Sequence, residues 1–538
     1  MKKYNLFTQS FSKLLILILT LAFILMGCGS NTTTTAVSTT VELTSEVNNT
    51  TTETTTAQAE ASLNSPEPNL IELSDKDIDS SFDDATTISL SNNASTIDGS
   101  GASINGNEIT ISEEGTYVIS GTLEDGYILI AAEENADVHI VLNNASITNS
   151  SGPAIMALSG DKLIVTLAPN SINHLIDGML DSTTATYNAA LYSEIDLTFN
   201  GTGSLSVTGN TEHAIFTKDD LKVVSGTFDL TSKGDGIKGR DSVQIVSGQF
   251  KINAAGDAIQ SSNDEDASKG WMIIEGGDFI IQTDNDAIKA ETDMTITGGN
   301  FEISAGDDGL TATGTLTISG GIITITESYE GIEAQHIILN DGEITLTSSD
   351  DGINAASDSG QNDFTVNGGY LRIYAEGDGL DSNGSFTING GIVIVDGPTI
   401  TMNGALDYDG TGIVNGGTLI ATGSSSMAEA PSEGSSQPAV MIYFSSNQAA
   451  GTEVAILDAS GNVVVSHTPS KNFQTIVFSA EGLSLDSTYT LTVNGTQTAS
   501  LTLTSSVMTF SETGEAVEGS IGQMPGGQMP GGQKPTRP

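Results

Sequence analysis

Between Asp235 and Asp381 apolar and polar positions alternate in short runs separated by paired glycines. After Asp286 come Ile288, Met294 and Ile296, then Gly298-Gly299, then Phe301 and Ile303; after Asp308 come Leu310, Leu316 and Ile318, then Gly320-Gly321, then Ile323 and Ile325. A period of two over runs this short predicts strands, and the glycine pairs predict turns between them. Each unit opens on an acid followed by Gly or Ala and then Ile or Leu: Asp235, Asp257, Asp286, Asp308, Glu330, Asp351 and Asp378. Their spacings are 22, 29, 22, 22, 21 and 27 residues, and both long steps are the same unit with residues inserted at one place. A fixed period of this size predicts a solenoid whose units bury their apolar faces only against neighbours. Three short strands per unit, without helical periodicity between them, predict an all-β, right-handed parallel β-helix.

The flanking pattern divides the chain further. Residues 1–27 read as a lipoprotein signal peptide: Lys2 and Lys3 precede an apolar run from Leu14 to Met26, too short for a comfortable membrane span. The run ends in Leu25-Met26-Gly27-Cys28, which resembles a bacterial lipobox and marks Cys28, the chain's single cysteine, for lipidation. Residues 28–75 are a Thr-rich tether with too few large apolar residues to bury a core. Residues 76–423 are assigned to the β-helix, its regular register expected from about His213, and 424–439 to a Ser/Gly/Pro linker. Residues 440–510 hold strands at regular spacing with Ser460-Gly461 and Asn494-Gly495 turns, a small antiparallel β module that either caps the helix or stands apart. Residues 511–538, with Met-Pro-Gly-Gly-Gln repeats, read as a Gly/Pro-rich disordered tail.

Stacking the coils about 4.8 Å apart turns the seven acids into a column. Two unit charges at that distance repel by roughly 0.9 kcal/mol in water and about 3.5 kcal/mol at an effective dielectric of 20. A counter-charge is required. Calcium takes about six to eight oxygens at roughly 2.3–2.6 Å, so one ion fits between carboxylates on neighbouring coils. The expected ligands are Asp235, Asp257, Asp286, Asp308, Glu330, Asp351 and Asp378, supported by Asp284, Asp307 and Asp350 just before ladder acids and by Asp381 three residues after one; Glu333 and Asn354 share that last position. Turn chemistry explains Asp and Asn in such places too, but it would accept Asn or Ser on most rungs, where this chain has acids. Insertions 263–270 and 357–362 fall at one point of the unit and project from one edge. Trp271 is expected to point outward beside the first of them, where an aromatic ring suits a sugar face; Tyr329, Tyr370 and Tyr374 are similar candidates.

Composition bounds the partner. A net charge of -51 with 17 Lys and Arg excludes nucleic acid, whose binding depends on cations neutralising phosphate, and it repels any acidic polymer unless cations intervene. The lipobox, the Thr-rich tether and the Asp-Gly-Ile or Asp-Gly-Leu phrases with Gly-Gly turns resemble the clostridial cell-surface carbohydrate-binding β-helix family, over roughly residues 82–508. That resemblance implies a pectate-lyase-like fold, calcium along the helix, and polygalacturonate or cellulose as ligand. The expectation is therefore a monomeric lipoprotein on the outer face of the cytoplasmic membrane, touching the membrane through its lipid only, that binds plant cell-wall polysaccharide without cutting it. Two alternatives compete. A calcium-dependent pectate lyase needs a Lys or Arg base, for which Lys238 and Lys289, three residues after ladder acids, are candidates, although neighbouring carboxylates hold a lysine protonated. A structural surface spacer or adhesin needs no ligand.

Overall fold

A computed structural model describes residues 73–357 and 360–517; the signal peptide, Cys28, nearly all of the tether and the end of the tail lie outside the described residues. The described chain is almost entirely strand, wound into a parallel β-solenoid of about 13 turns with a further antiparallel sheet. One turn shows the plan. Ile237–Gly239 is the first strand, Ser242–Ile245 the second and Gln249–Ala254 the third, and residues 255–258 lead into the next first strand, Ile259–Ser261. Each strand pairs in parallel with its equivalents above and below, Ile237 with Ile215 and Ile259, for example.

The period survives because alternate residues meet identical neighbours. Phe228, Phe250, Phe279 and Phe301 share one register position in successive turns, and their rings stack inside the coil at 5.1, 4.7 and 4.5 Å, within 6° of parallel. The glycine before them is obligatory. Gly299 has φ +109°, and a Cβ there would lie 2.9 Å from the Phe301 ring. On the same corner an asparagine ladder closes the later turns: Asn367 donates to Asn340, Asn389 to Asn367 and Asn415 to Asn389, each at 2.9 Å.

The register does not begin at His213, as the sequence suggested. Thr86–Leu90 already pairs in parallel with Gly115–Leu123, and the column continues through Asp137–Thr148, Lys162–Leu167 and Asp196–Gly201. Loops of unequal length between these strands hide the period. At this end a short helix, Asp75–Ile78, lies on the side of the coil. Its Asp77, with no exposed surface, takes Lys162 at 2.8 Å and Lys222 at 3.3 Å, and Thr198 donates to it at 2.9 Å.

The other end is closed by the C-terminal module. Phe473–Ser479 pairs antiparallel with Thr418–Gly423 of the last coil, so the sheet runs on into the module. A four-stranded sheet packs across it around a separate core containing Phe444, Ile456, Phe473, Phe478 and Leu491. Asp396, fully buried, ties the two together by accepting from Arg372 and His467 at 2.7 Å each and from the Ser470 N–H at 2.8 Å. Of residues 424–439, read as linker from composition, Ala439 opens the strand Ala439–Gln448, and the stretch before it is bonded to the last coil: Ser432 and Ser435 hydroxyls accept from the N–H groups of Gly412 (2.9 Å) and Val414 (3.1 Å). Small polar side chains here satisfy a strand edge that has no next coil. The module extends to Val517, whose N–H donates to Thr509.

Phe279→Ala removes the middle of the ring stack and is expected to destabilise the solenoid by about 3–5 kcal/mol. Denaturant unfolding checks this; a loss under about 1 kcal/mol would mean the coil repacks around the gap.

Candidate functional site

The turn between the third strand and the next first strand carries the acid column, and the structure explains how an acid can recur there. The N–H of five ladder residues donates to a carboxylate oxygen of the residue one coil before it: Asp257 to Asp235 (2.9 Å), Asp286 to Asp257 (3.2 Å), Asp308 to Asp286 (3.0 Å), Glu330 to Asp308 (3.2 Å) and Asp378 to Asp351 (2.6 Å). The column opens on His213, whose Nδ1 accepts from the Asp235 N–H at 3.0 Å, and closes on the Gly404 N–H, which donates to Asp378. One oxygen of most rungs is therefore spent on the backbone. The second carries the charge outward.

Parallel to the ladder runs a companion column, the outward middle residue of the first strand. In order it reads Lys238, Gln260, Lys289, Thr311, Glu333, Asn354, Asp381 and Asp407. This column sets the electrostatics. In the early turns Lys238 meets Asp235 at 2.9 Å and Lys289 meets Asp286 at 2.6 Å. Burial pushes Asp235 up, but His213 and Lys238 more than offset it and the carboxyl falls to about 2. Burial lowers Lys289, yet Asp286, Asp257 and Asp308 together hold its ammonium well above the ordinary lysine range.

Past Lys289 the companion column contains no cation; carboxyls are raised there, as is Asp257 between the two lysines, to about 6 by burial and then by Asp286 and Asp235. Burial, then Asp286 and Glu333, push Asp308 far above the carboxylate range. Burial, with like charges beside it, raises Asp351 to about 7, Asp378 to about 7 and Asp381 to about 8. Carboxylate oxygens of Asp286, Asp307 and Asp308, of Asp308, Glu330 and Glu333, and of Asp351, Asp378 and Asp381 converge within 4.8 Å in each group. Asn354, 9 % exposed and paired in register with both Glu333 and Asp381, turns its amide nitrogen to Glu330 at 2.9 Å and leaves its buried Oδ1 without a hydrogen-bond donor. A buried carbonyl oxygen beside convergent carboxylates fits a hard, oxygen-ligated metal ion such as calcium.

The other expected residues are spread over the three corners. Asp350 lies beside Tyr329, and a hydrogen bond to it raises the Tyr329 hydroxyl; Asp284 is exposed and belongs to none of the convergent groups found among the described residues. Tyr374 follows Arg372, whose guanidinium sits 4.8 Å from its ring, on the approach to the ladder turn. Trp271 points outward and is half-buried, but it stands at the corner between first and second strands; Tyr370 stands at the glycine corner. These aromatics do not form one platform. The insertions 263–270 and 357–362 leave the same corner, four coils apart. Sequence reasoning missed a fourth acid group there, Asp196, Asp219 and Asp220, in which burial and the other two acids raise Asp196 to about 7; the 24-residue step from Asp196 to Asp220 was its signal. A shallow groove of about 490 Å³ along the glycine corner, lined by Ser225, Thr227, Gln249 and Asn300 among others, is nearly free of charge.

A parallel β-solenoid with one carboxylate edge and capped ends is the class this architecture defines. The model of the carbohydrate-binding domain-containing protein family matches residues 105–358 and 305–431, more than half of the chain, and the chain belongs to that family. The match stops short of the C-terminal module. A carbohydrate-binding domain-containing protein of Acetivibrio thermocellus is 33% identical over 142 residues, 26% of this chain and 49% of that protein, so the chain spans about half the length of that curated relative. A solved structure of the polysaccharide lyase-like protein from C. thermocellum, a gadolinium derivative, is 28% identical, with a TM-score of 0.39 over 45% of this chain and 94% of that one.

The raised carboxyls give a pH signature. Asp351, Asp378 and Asp381 bind protons in the folded state up to about 7–8 and in the unfolded state only to about 4. Their contribution is fully present below about pH 4 and is lost as pH rises through the folded values. Metal-free protein is expected to melt at progressively lower temperature from about pH 4 to about pH 8, and calcium to flatten that slope while releasing protons. Melting curves with and without chelator across this range check it; a metal-free slope of opposite sign refutes it.

Proposed function

We propose that the protein is a cell-surface lipoprotein that holds acidic plant cell-wall polysaccharide, of the polygalacturonate kind, through calcium ions seated on its carboxylate edge. Family membership supports the carbohydrate. The observation that carries the calcium is the change along the companion column: Lys238 and Lys289 stand beside the early ladder, and where Thr311, Glu333, Asn354 and Asp381 replace them carboxylate oxygens converge within 4.8 Å of one another. Asp351, Asp378 and Asp381, with the Asn354 carbonyl close by in register, would hold one ion, and Asp308, Glu330 and Glu333 another. Three or four protein oxygens leave coordination positions open. Carboxylate and hydroxyl oxygens of a uronate fit those positions, and the bridging charge removes the repulsion between a polyanion and a chain of net charge -51.

Binding without cleavage is the reading the lysines support. A lyase base has to give up its proton near the working pH, and the carboxylates around Lys289 hold it protonated. Cys28 would supply the anchor.

Polygalacturonate binding by the full chain is expected with calcium and to fall at least tenfold with chelator, with no unsaturated product detected by absorbance. Replacing Asp351 and Asp378 together by Asn, which keeps the carbonyl that accepts the next rung's amide, should weaken calcium binding at least tenfold with the fold intact. Binding that ignores chelator overturns the calcium bridge. Cellulose bound equally well without calcium would point instead to the uncharged groove at the glycine corner.

A further inference from the structure

Resting on that reading, we infer that the carboxylate edge is a track for a single extended polyuronate chain of about ten rings, closed at its two ends by residues 177–188 and 397–405, whose apolar tips meet the sugar ring faces. Insertions on this corner fall only at the two ends of the column. The turns between third and first strands are short through the ladder, as at 210–212, 233–236, 255–258, 284–287 and 376–379. Only the turn below the His213 rung, after Ile172–Ile176, and the turn above the Asp378 rung, after Ile392–Asp396, are long. One insertion at each end of the column, and none inside it, delimits a length rather than decorating a surface.

Both loops are fixed at the base and apolar at the tip. Asp177, 3 % exposed, accepts from the Thr211 N–H at 3.0 Å. Gly404 donates to Asp378, the last ladder acid, and the Asn403 amide reaches the Glu376 carbonyl at 3.5 Å. At the tips Met179 is 76 % exposed, Ile400 55 % and Met402 66 %, with Leu180 at 36 %. Eleven large hydrophobic side chains are exposed among the described residues, and four of them stand on these two loops. Met402 has φ +92° and is held there by its N–H on the Ser426 hydroxyl at 3.2 Å. A non-glycine residue in that region costs stability, and such strain gathers where a side chain must be presented.

The span selects the occupant. Nine coil steps separate the rungs of the two loops, about 43 Å at roughly 4.8 Å per coil. An extended pyranose chain advances by close to one coil spacing per ring, so successive carboxylates keep step with successive rungs. The apolar ring faces at the two ends then cover Met179 and Leu180 on one side and Ile400 and Met402 on the other.

Calorimetric titration of the full chain in calcium with oligogalacturonates of increasing length tests this. Affinity is expected to climb with length and level off near ten rings. Met179→Ser, Leu180→Ser, Ile400→Ser and Met402→Ser together should lower affinity for the decamer at least tenfold, with affinity for a trimer, calcium binding and melting temperature unchanged, since all four side chains are solvent-facing. A plateau at three or four rings, or a quadruple variant that binds the decamer as wild type does, overturns the track while leaving calcium-bridged binding in place. If no oligomer of any length binds in calcium, the preceding functional reading falls and the track with it.

Discussion

Most coils of the acid ladder are fastened to the next by a carboxylate oxygen that accepts a backbone N–H one turn on. That bond lets an acid recur every 22 residues or so. A turn amide facing along the coil axis needs an acceptor, and Asp supplies one at about 3 Å on nearly every rung. Asn could supply the same oxygen, and at the glycine corner it does, through the Asn340–Asn415 ladder. What Asn cannot supply is charge on the other oxygen. Turn chemistry and ion chemistry are thus served by two atoms of one group, and the choice of Asp on one corner and Asn on another separates an edge that needs cations from one that does not.

That division also explains which features were legible in the sequence. The inward alternation of residues such as Ile288, Met294, Ile296, Phe301 and Ile303 was readable because an interior position tolerates few residue types, and the ladder because its acids hold constant spacing. The early coils hid their period: Thr86–Leu90 and Gly115–Leu123 are as regular in space as later strands, but loops of different length separate them. Composition misled for residues 424–438. Serines that look like linker become edge acceptors when the last coil has no successor, and only three-dimensional neighbours reveal that. Asp396 and Asp77 carried no local signal, since their partners are Arg372 and His467 and Lys162 and Lys222, far away in the chain.

The ends obey the same rule as the middle. A coil leaves a strand edge unpaired at each terminus, and an unpaired edge recruits other chains. At the C-terminal end the sheet turns antiparallel through Phe473–Ser479 and is folded into a module with its own core, so the edge is consumed. At the other end Thr96–Asp98 and Ala102–Asn105 pair antiparallel with Thr86–Leu90 and Glu108–Ile111, while Asp77 is held between two lysines on the solenoid flank. Asp396 and Asp77 are each buried among basic side chains and hydrogen-bond donors, the arrangement in which a buried charge is tolerated.

Past Lys289 the companion column beside the ladder acids offers no lysine or arginine. A buried acid can be neutralised by a proton, by a side-chain cation or by a metal ion, and this chain uses the second for Asp77, Asp396, Asp235 and Asp286. It withholds lysine from the column beside Glu330, Asp351 and Asp378, although Lys238 and Lys289 show that a lysine at that register position reaches its acid. Lysine is therefore sterically available there and not used. Filling those positions would settle the charge within the protein; with Glu333, Asn354 and Asp381 there instead, the proposed calcium ion would have a seat on the edge and a coordination position left for a further oxygen ligand.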